Sequence, residues 1–289
     1  MSGLHLNQSE RYTFLPPDEE SGMSESLSVL LTNDDGIDAV GFRALYEGLS
    51  EFADVTAVAP ADDQSAVGRQ LSADVSVREH EFGYSVEGTP ADCVVAGLES
   101  LCPDVDAVVS GCNKGANLGA YVLGRSGTVS AAVEAAFFDV PAIAASLYVP
   151  GGGDTPWQEQ ATETEDFREA TRATTYLLRH ALGAGVFEQA EYLNVNAPLL
   201  EESADPAPIE ITTPSKLYEM TAEHDGNGTV TLHDGIWERM RGDDLPDPAG
   251  TDRRAVVEGR VSVSPLTAPH TTEHHEALDG LAETYLDAV

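Results

Sequence analysis

The sequence is poor in positive charge. Its 15 lysines and arginines stand against 50 aspartates and glutamates, which gives a formal net charge of −35. Only Lys114 and Lys216 are lysines. Long nucleic acids bind to basic surfaces, so this composition argues against such partners. Because the acidic residues are spread along the whole chain, they indicate a solvated surface in a salt-rich cytoplasm, where salt screens the self-repulsion.

Cysteine and long apolar runs are also scarce. Cys93, Cys102 and Cys112 are an odd number without metal-type spacing, which indicates reduced, mostly buried thiols in a cytosolic protein. No run approaches the length of a membrane span, and residues 1–26 lack the apolar segment of a signal peptide. We therefore expect a cytoplasmic protein that begins with a disordered extension over 1–26, in which Met23 is a candidate natural start.

What the sequence does contain is a regular alternation of strand and helix patterns up to about residue 198. This alternation predicts an α/β fold with a parallel sheet covered by helices on both faces. No Gly-x-Gly-x-x-Gly follows the first strand, so a dinucleotide-binding protein is not supported. The predicted strands are 27–31, 55–59, 105–109, 142–147 and 192–196, and the predicted helices are 39–49, 89–101, 128–138 and 165–182.

Beyond Pro198 the alternation stops, which indicates a smaller C-terminal part. Asp225-Gly226-Asn227-Gly228 predicts a hairpin turn. The last residues predict an amphipathic terminal helix, which packs either on a partner subunit or on its own domain. Further β-structure is predicted at 75–77 and 84–86, as a hairpin outside the main sheet, and at 209–213, 229–232 and 255–263.

Asp34 and Asp35 stand where the first strand ends. In an open α/β sheet, ligands bind at this edge. Two adjacent carboxylates repel each other unless a cation or a shared proton relieves them. The alternative is that the pair only turns the chain and caps the next helix, since Asp-Gly is a common turn sequence.

Two later strands end in loops of similar chemistry. The second loop offers Gln64 and Ser65, and the third offers Asn113 and Asn117. With the aspartates, these oxygen donors suit one hard divalent ion, Mg²⁺ or Mn²⁺, better than zinc. A metal held by so few charges keeps water ligands, and such a water is a ready nucleophile. Taken singly, each asparagine is better explained as a residue that tolerates a left-handed turn.

The third loop ends in Ser126-Gly127-Thr128 at a helix start. Backbone amides there, beside two hydroxyls, form a cradle for phosphate. Capping of the helix by Ser126 gives the same sequence pattern. The scarce cations favour an anionic substrate, although ion pairing on the surface is the competing explanation. Three of these cations fall on the site loops: Arg69, Lys114 and Arg125.

These segments together resemble the SurE family of metal-dependent nucleotidases. Seven collinear matches cover nearly the whole chain from Leu27 onward: LLTNDDGID (30–38), VAPADDQSAVG (58–68), EGTPADCVVAGL (87–98), VVSGCNKGANLG (108–119), SGTVSAAVEAA (126–136), LNVNAP (193–198) and GRVSVSPL (259–266). The resemblance implies a Rossmann-like, doubly wound, mostly parallel sheet with a smaller C-terminal hairpin extension and a terminal helix. It also implies a homodimer or homotetramer. We divide the chain into the extension (1–26), the core with the site (27–215) and a C-terminal extension for oligomerisation (216–289).

The resemblance also assigns roles to residues. The metal ligands would be Asp34, Asp35, Ser65 and Asn113, and the phosphate-binding residues would be Asn117, Ser126, Gly127 and Thr128. Either aspartate would accept the proton of the attacking water. A tyrosine commonly precedes the Ser-Gly-Thr turn in the family, and Arg125 replaces it here.

The sequence therefore predicts a phosphomonoesterase that hydrolyses nucleoside 5′-monophosphates, or 3′-monophosphates, through a metal-activated water. Two alternatives stay open. A polyphosphatase, or another phosphatase or esterase with the same site, would differ only in substrate. A non-catalytic nucleotide-binding regulatory module would bind nucleotide without releasing phosphate.

Overall fold

The computed structural model describes residues 26–150, 156–242, 244–271 and 276–284. The predicted extension, apart from residue 26, lies outside the described residues, as do 151–155 and the end of the predicted terminal helix. No helix within the described ranges is long and apolar enough to cross a membrane. All three cysteines are unpaired, and two of them, Cys93 and Cys112, are buried.

The strands and helices follow the predicted order. The strands are β1 (Leu27–Thr32), β2 (Ala53–Pro60), β3 (Ser76–His80), β4 (Gly83–Glu87), β5 (Ala107–Lys114), β6 (Ala142–Tyr148), β7 (Tyr192–Pro198), β8 (Ile209–Ile211), β9 (Met220–His224), β10 (Val230–Asp234) and β11 (Val261–Leu266). The α-helices are α1 (Val40–Ser50), α2 (Pro90–Ala96), α3 (Ala120–Leu123), α4 (Gly127–Phe137), α5 (Arg168–Ala181), α6 (Ile236–Arg241), α7 (Asp252–Val257) and α8 (Glu276–Thr284). A π-helical turn, Gly97–Leu101, extends α2, and short 3₁₀ turns lie at Trp157–Glu159, Thr164–Phe167 and Val186–Glu188.

A nine-stranded sheet runs in the order β3-β4-β2-β1-β5-β6-β7-β11-β8. The neighbours from β4 to β7 pair in parallel, whereas β3 and β11 run antiparallel to β4 and β7. The predicted parallel sheet is therefore confirmed. Because β2 and β5 pair with opposite sides of β1, the chain reverses its winding direction there, and such a switch point opens a crevice at the carboxyl ends of the strands.

Helices cover both faces of the sheet, as predicted. On one face α1 and α5 bury Phe42, Leu45 and Leu178, and on the other α2 and α4 bury Val94 and Val129. Each such side chain stabilises the fold by roughly 1.5–3 kcal/mol relative to its exposed state. These two layers hold the strand ends, and therefore the loops that follow them, in fixed positions.

The hairpin predicted outside the main sheet lies inside it, and that part of the prediction was wrong. β4 joins the edge of the sheet by pairing with β2. Gly83 makes this possible: its φ is +144°, and a Cβ there would lie 2.3 Å from the carbonyl oxygen of Ala57. Only glycine allows the two backbones to approach this closely.

The β-structure predicted over 255–263 was wrong for its first half. Residues Asp252–Val257 form α7, and the strand begins only at Val261. Gly259, with a φ of +75°, separates the two elements in the left-handed conformation that ends many helices. The valines that suggested a strand are instead held as a helix by packing, which overrides their local preference.

A small core lies beyond the carboxyl edge of the sheet. It contains Leu118, from the third site loop, and Tyr148, from β6. These two side chains pack against Ile236 and Met240 of α6 and against Leu245. The DGNG turn joins β9 to β10 in a separate two-stranded hairpin, as predicted. This core places α6 over the edge at which the site loops end.

Candidate active site

The carboxylate of Asp34 is buried directly against the start of α4. Its side chain is 3% exposed, and the Thr128 hydroxyl donates a 2.5 Å hydrogen bond to Asp34 Oδ1. Gly127 leaves the space for it, since a Cβ at that position would lie 2.7 Å from Asp34 Cβ. Burial raises the pKa of Asp34, and the hydrogen bond from Thr128 opposes that change. The structure thus brings together one predicted metal ligand and the predicted phosphate-binding turn.

Asp35 faces the end of β5. Its Oδ2 accepts a 2.8 Å hydrogen bond from the backbone amide of Lys114. Burial, followed by the charge of Asp34, raises the pKa of Asp35 to about 7. Within the described residues neither aspartate forms a salt bridge. The pair is thus an anionic centre that no cationic side chain of that part of the chain neutralises by direct contact.

The second loop brings Ser65 to the same pocket as Asp35. Asp63 accepts hydrogen bonds from the Ser65 amide and hydroxyl, at 2.7 and 2.6 Å. Its charge also raises the pKa of both site aspartates. The Gln64 side chain was a candidate oxygen donor, and its backbone amide binds the Asp34 carbonyl at 2.7 Å. Asp63 was not among the predicted site residues, although Asp-Asp-Gln-Ser is a visible acidic signal.

Asn113 lies within β5, which runs five residues beyond its predicted end at 109, and Asn117 lies in the third loop, which follows it. Asn113 Nδ2 donates a 2.5 Å hydrogen bond to the carbonyl of Gly115, so this asparagine also stabilises the backbone turn at the end of β5. Asn117 is buried, and its amide nitrogen Nδ2 donates to Ser146 Oγ at 2.9 Å. Its backbone is held by Asn196 Oδ1, at 2.7 Å. The strand ends of β6 and β7 therefore fix the position of this loop.

Ser126 caps α4, because its hydroxyl accepts a 3.0 Å hydrogen bond from the Val129 amide. The capping alternative is therefore realised for this hydroxyl. The Asp34 carboxylate also receives the backbone amide of Thr128. The helix N-terminus thus already stabilises one anion, consistent with its positive end. Arg125, which directly precedes the Ser-Gly-Thr turn, lies over the ring of Tyr121 at 5.1 Å from its centroid.

A cavity of about 370 Å³, which we call the carboxylate pocket, opens beside Asp35 and Ser65, the two predicted site residues among its lining. Asp35, Ser65, Lys114, Trp157 and Phe167 line it. The Lys114 ammonium donates a 2.7 Å hydrogen bond to the carbonyl of Gln158 and thereby ties the 157–159 turn to the end of β5. This size and mixed lining suit a small ligand.

The donor set fits a hard divalent cation. Asp34 is buried and Asp35 half-buried; both have raised pKa values and no salt-bridge partner among the described residues, and Ser65 lines the same pocket as Asp35. Among those residues no group of three or more histidine, cysteine, aspartate or glutamate side chains could hold a metal ion. A zinc site of the histidine–cysteine type is therefore absent from the described part of the chain.

Fold and site define a Rossmann-like α/β protein with two adjacent carboxylates, one buried and one half-buried, at the ligand-binding edge of its sheet. The family model described as Survival protein SurE matches residues 29–220. The chain belongs to the SurE family, and the predicted family is confirmed. The 5′-nucleotidases of this family are metal-dependent.

Individual proteins agree with this assignment. The chain is 73% identical to the 5′-nucleotidase SurE of Haloquadratum walsbyi, over 92% of this chain and all of that protein. It is 66% identical to the 5′-nucleotidase SurE of Haloarcula marismortui, over 89% of this chain and 95% of that protein. Among solved structures, the SurE protein of Aquifex aeolicus has a TM-score of 0.69 at 30% identity, over 90% of this chain and 99% of that one. The predicted Rossmann-like fold is therefore confirmed, and the halophilic relatives match the acidic composition.

Proposed function

We propose that this protein hydrolyses nucleoside 5′-monophosphates to nucleoside and phosphate with the help of a divalent metal ion. The enzyme class rests on relatives named 5′-nucleotidase SurE that are 58–73% identical over most of the chain. These relatives confirm the predicted class, a 5′-nucleotidase. The metal-assisted route is our proposal.

The metal-assisted route is supported by one observation: within the described residues, the two site carboxylates form no salt bridge. Asp34 and Asp35 are held close together with raised pKa values, an arrangement that favours either a proton or a cation. Asp34, Asp35, Ser65 and Asn113 would hold one Mg²⁺ or Mn²⁺ per subunit. When bound, the cation supplies an activated water and neutralises charge on the phosphoryl oxygens.

The chain's own residues have separate tasks in this proposal. Thr128 orients the Asp34 carboxylate through its hydroxyl. Asp34 or Asp35 would accept the proton of the attacking water. The 126–128 turn, with Asn117, would bind the phosphate near the N-terminus of α4, where the amides of Ser126 and Thr128 already bind the Val122 carbonyl and the Asp34 carboxylate.

The test is phosphate release from a nucleotide panel and polyphosphate in molar salt, after chelator treatment and after addition of Mn²⁺ or Mg²⁺. We expect activity on nucleoside 5′-monophosphates that the chelator abolishes and metal restores. Asp35→Asn should abolish turnover with an unchanged circular dichroism spectrum, whereas Asp54→Asn, on the exposed surface, should retain it. Substantial activity of the Asp35 variant would contradict the proposal.

We also propose that the protein is a cytoplasmic homodimer or homotetramer. In α8, Leu278 and Leu281 are 58% and 66% exposed, and a partner subunit would bury them. Light scattering coupled to gel filtration in molar salt measures the subunit number, and a monomer would contradict the prediction.

A further inference from the structure

A second cavity of about 420 Å³ adjoins the carboxylate pocket. We call it the tryptophan pocket, after Trp157 and Trp237, which line it with Gly115, Tyr148 and Arg241. Trp157 lines both cavities, and Gly115 directly follows Lys114 of the carboxylate pocket. A ligand whose charged end occupies the first cavity can therefore extend into the second.

The lining of this cavity is suited to a flat aromatic group. The chain has only two tryptophans, and both face this one cavity. Nucleic acid bases stack on aromatic side chains, since every base has a π-face. Trp157 is 43% exposed, so a ligand in the cavity would cover part of its ring.

Arg241 adds hydrogen-bond donors to the same cavity. Its Nε donates a 3.1 Å hydrogen bond to the backbone carbonyl of Trp237, which restrains the guanidinium at the end of α6, and both residues line the cavity. Among the described residues its guanidinium forms no salt bridge, although the chain carries 50 acidic residues. An arginine fork matches paired acceptors on a purine edge, such as O6 and N7 of guanine.

Helix α6 and the 157–159 turn, which carry these side chains, are held in place by contacts with the rest of the fold. Ile236 and Met240 are buried on either side of Trp237 in the small core. The bond from Lys114 to the Gln158 carbonyl holds the turn that carries Trp157. The cavity is therefore built before a ligand arrives, which lowers the entropic cost of binding.

We propose that Trp157, Trp237 and Arg241 form the base-binding subsite of the enzyme and select purine nucleotides by stacking and by donation to the purine edge. This inference rests on the proposed function, because it places the base next to the cavity that the proposed metal ligands Asp35 and Ser65 line. The pyrimidine ring has a smaller stacking area and lacks N7, so CMP and UMP should bind more weakly than AMP and GMP.

Kinetics on matched substrates test the subsite. Ribose 5-phosphate has the same sugar phosphate as a nucleotide but no base. We expect Trp237→Ala to raise the KM for AMP about tenfold or more, with kcat nearly unchanged and ribose 5-phosphate hydrolysed as before. Trp237→Phe should restore most of the affinity, and Tyr176→Ala, an exposed aromatic outside the cavity, should match the parent protein.

Three kinetic outcomes would overturn the subsite: an unchanged KM for AMP in Trp237→Ala, an equal loss on ribose 5-phosphate, or equal KM values for AMP and CMP in the parent protein. Failure of the proposed function looks different, since the parent protein would then release phosphate from no nucleotide and from no sugar phosphate.

Fluorescence provides a readout that needs no turnover. Because both tryptophans line one cavity, all tryptophan emission of the chain reports on it. Adenosine, which lacks phosphate, should quench this emission saturably in molar salt, and ribose 5-phosphate should not. Emission that adenosine leaves unchanged would overturn the subsite even in an active enzyme.

Discussion

The hydroxyl of Thr128 donates a 2.5 Å hydrogen bond to Asp34 Oδ1, across 94 residues of sequence. Both groups are buried, so neither has a water molecule to replace its partner. The bond joins the end of β1 to the first turn of α4. It therefore determines how the carboxylate is presented to a cation.

Removal of this hydroxyl should weaken metal binding. Thr128→Val keeps the shape of the side chain but leaves Asp34 Oδ1 without its donor. Partners of this kind typically contribute 10–100-fold to metal affinity. We expect a loss of about that size in a Mn²⁺ titration, and Thr128→Ser should recover most of it. A valine variant with the parent affinity would show that the bond does not orient the carboxylate.

The raised pKa of Asp35 predicts a pH-dependent stability of the metal-free protein. The pKa of this carboxyl is about 7 in the folded protein, against an ordinary value of 3.8, so the folded state holds more protons between these limits. The contribution of Asp35 to the free energy of unfolding is therefore fully present below pH about 3.8 and is lost as the pH rises through about 7.

The Asp35→Asn variant has no carboxyl group to ionise at this position, so it should not lose this part of its folding stability as the pH rises. In chelator, the variant should therefore unfold at a higher urea concentration than the parent protein at pH 8, with a gain on the order of 1–3 kcal/mol. The gain should shrink towards pH 5, where the parent carboxyl keeps its proton. A difference that is independent of pH would show that Asp35 titrates normally.

The buried carboxylate of Asp252 should be essential for the third site loop. It accepts hydrogen bonds from the amides of Gly119, Ser215 and Arg253, at 2.6, 2.9 and 2.8 Å. Asp252→Ala leaves three amides without an acceptor and should cost roughly 3–5 kcal/mol in urea unfolding.

Activity should fall as well, because Asn117 lies two residues before Gly119. Asp104→Ala, at an exposed aspartate, is the matched control and should change neither quantity. If the Asp252 variant lost stability but kept full kcat/KM, the loop would not depend on this anchor.

Removal of salt should unfold the protein. A net charge of −35 repels itself, and the 15 lysines and arginines cannot neutralise 50 acidic residues. Circular dichroism during dialysis into dilute buffer should show loss of structure. Since the cause is screening, KCl and NaCl should restore the signal at similar ionic strength. An unchanged spectrum in dilute buffer would contradict the explanation.

The sequence predicted the sheet well because its strands are short apolar runs with clear ends. β1 and β6 were each located to within one residue, whereas β5 begins two residues and ends five residues later than predicted; the loops that follow these strands could be grouped by one rule of α/β topology. The capping box at Thr89 was also predictable, because a cap depends only on neighbouring residues.

The errors concern features that depend on distant contacts. Whether the 76–87 hairpin joins the sheet depends on the approach of Gly83 to β2, which local patterns do not encode. The helix at 252–257 depends on the burial of Asp252 against the Gly119 amide. The tryptophan pocket was missed for the same reason, since 80 residues separate its two indoles in the chain.

The position of β11 has a consequence for synthesis on the ribosome. This strand lies between β7 and β8, and Asp252, just before it, anchors the third site loop. A nascent chain that stops before these residues contains every predicted metal ligand but lacks the anchor of Gly119 and one strand of its sheet. The enzyme therefore acquires its finished site only when nearly all of its chain has been translated, and cleavage near the C-terminus should inactivate it although the ligands remain.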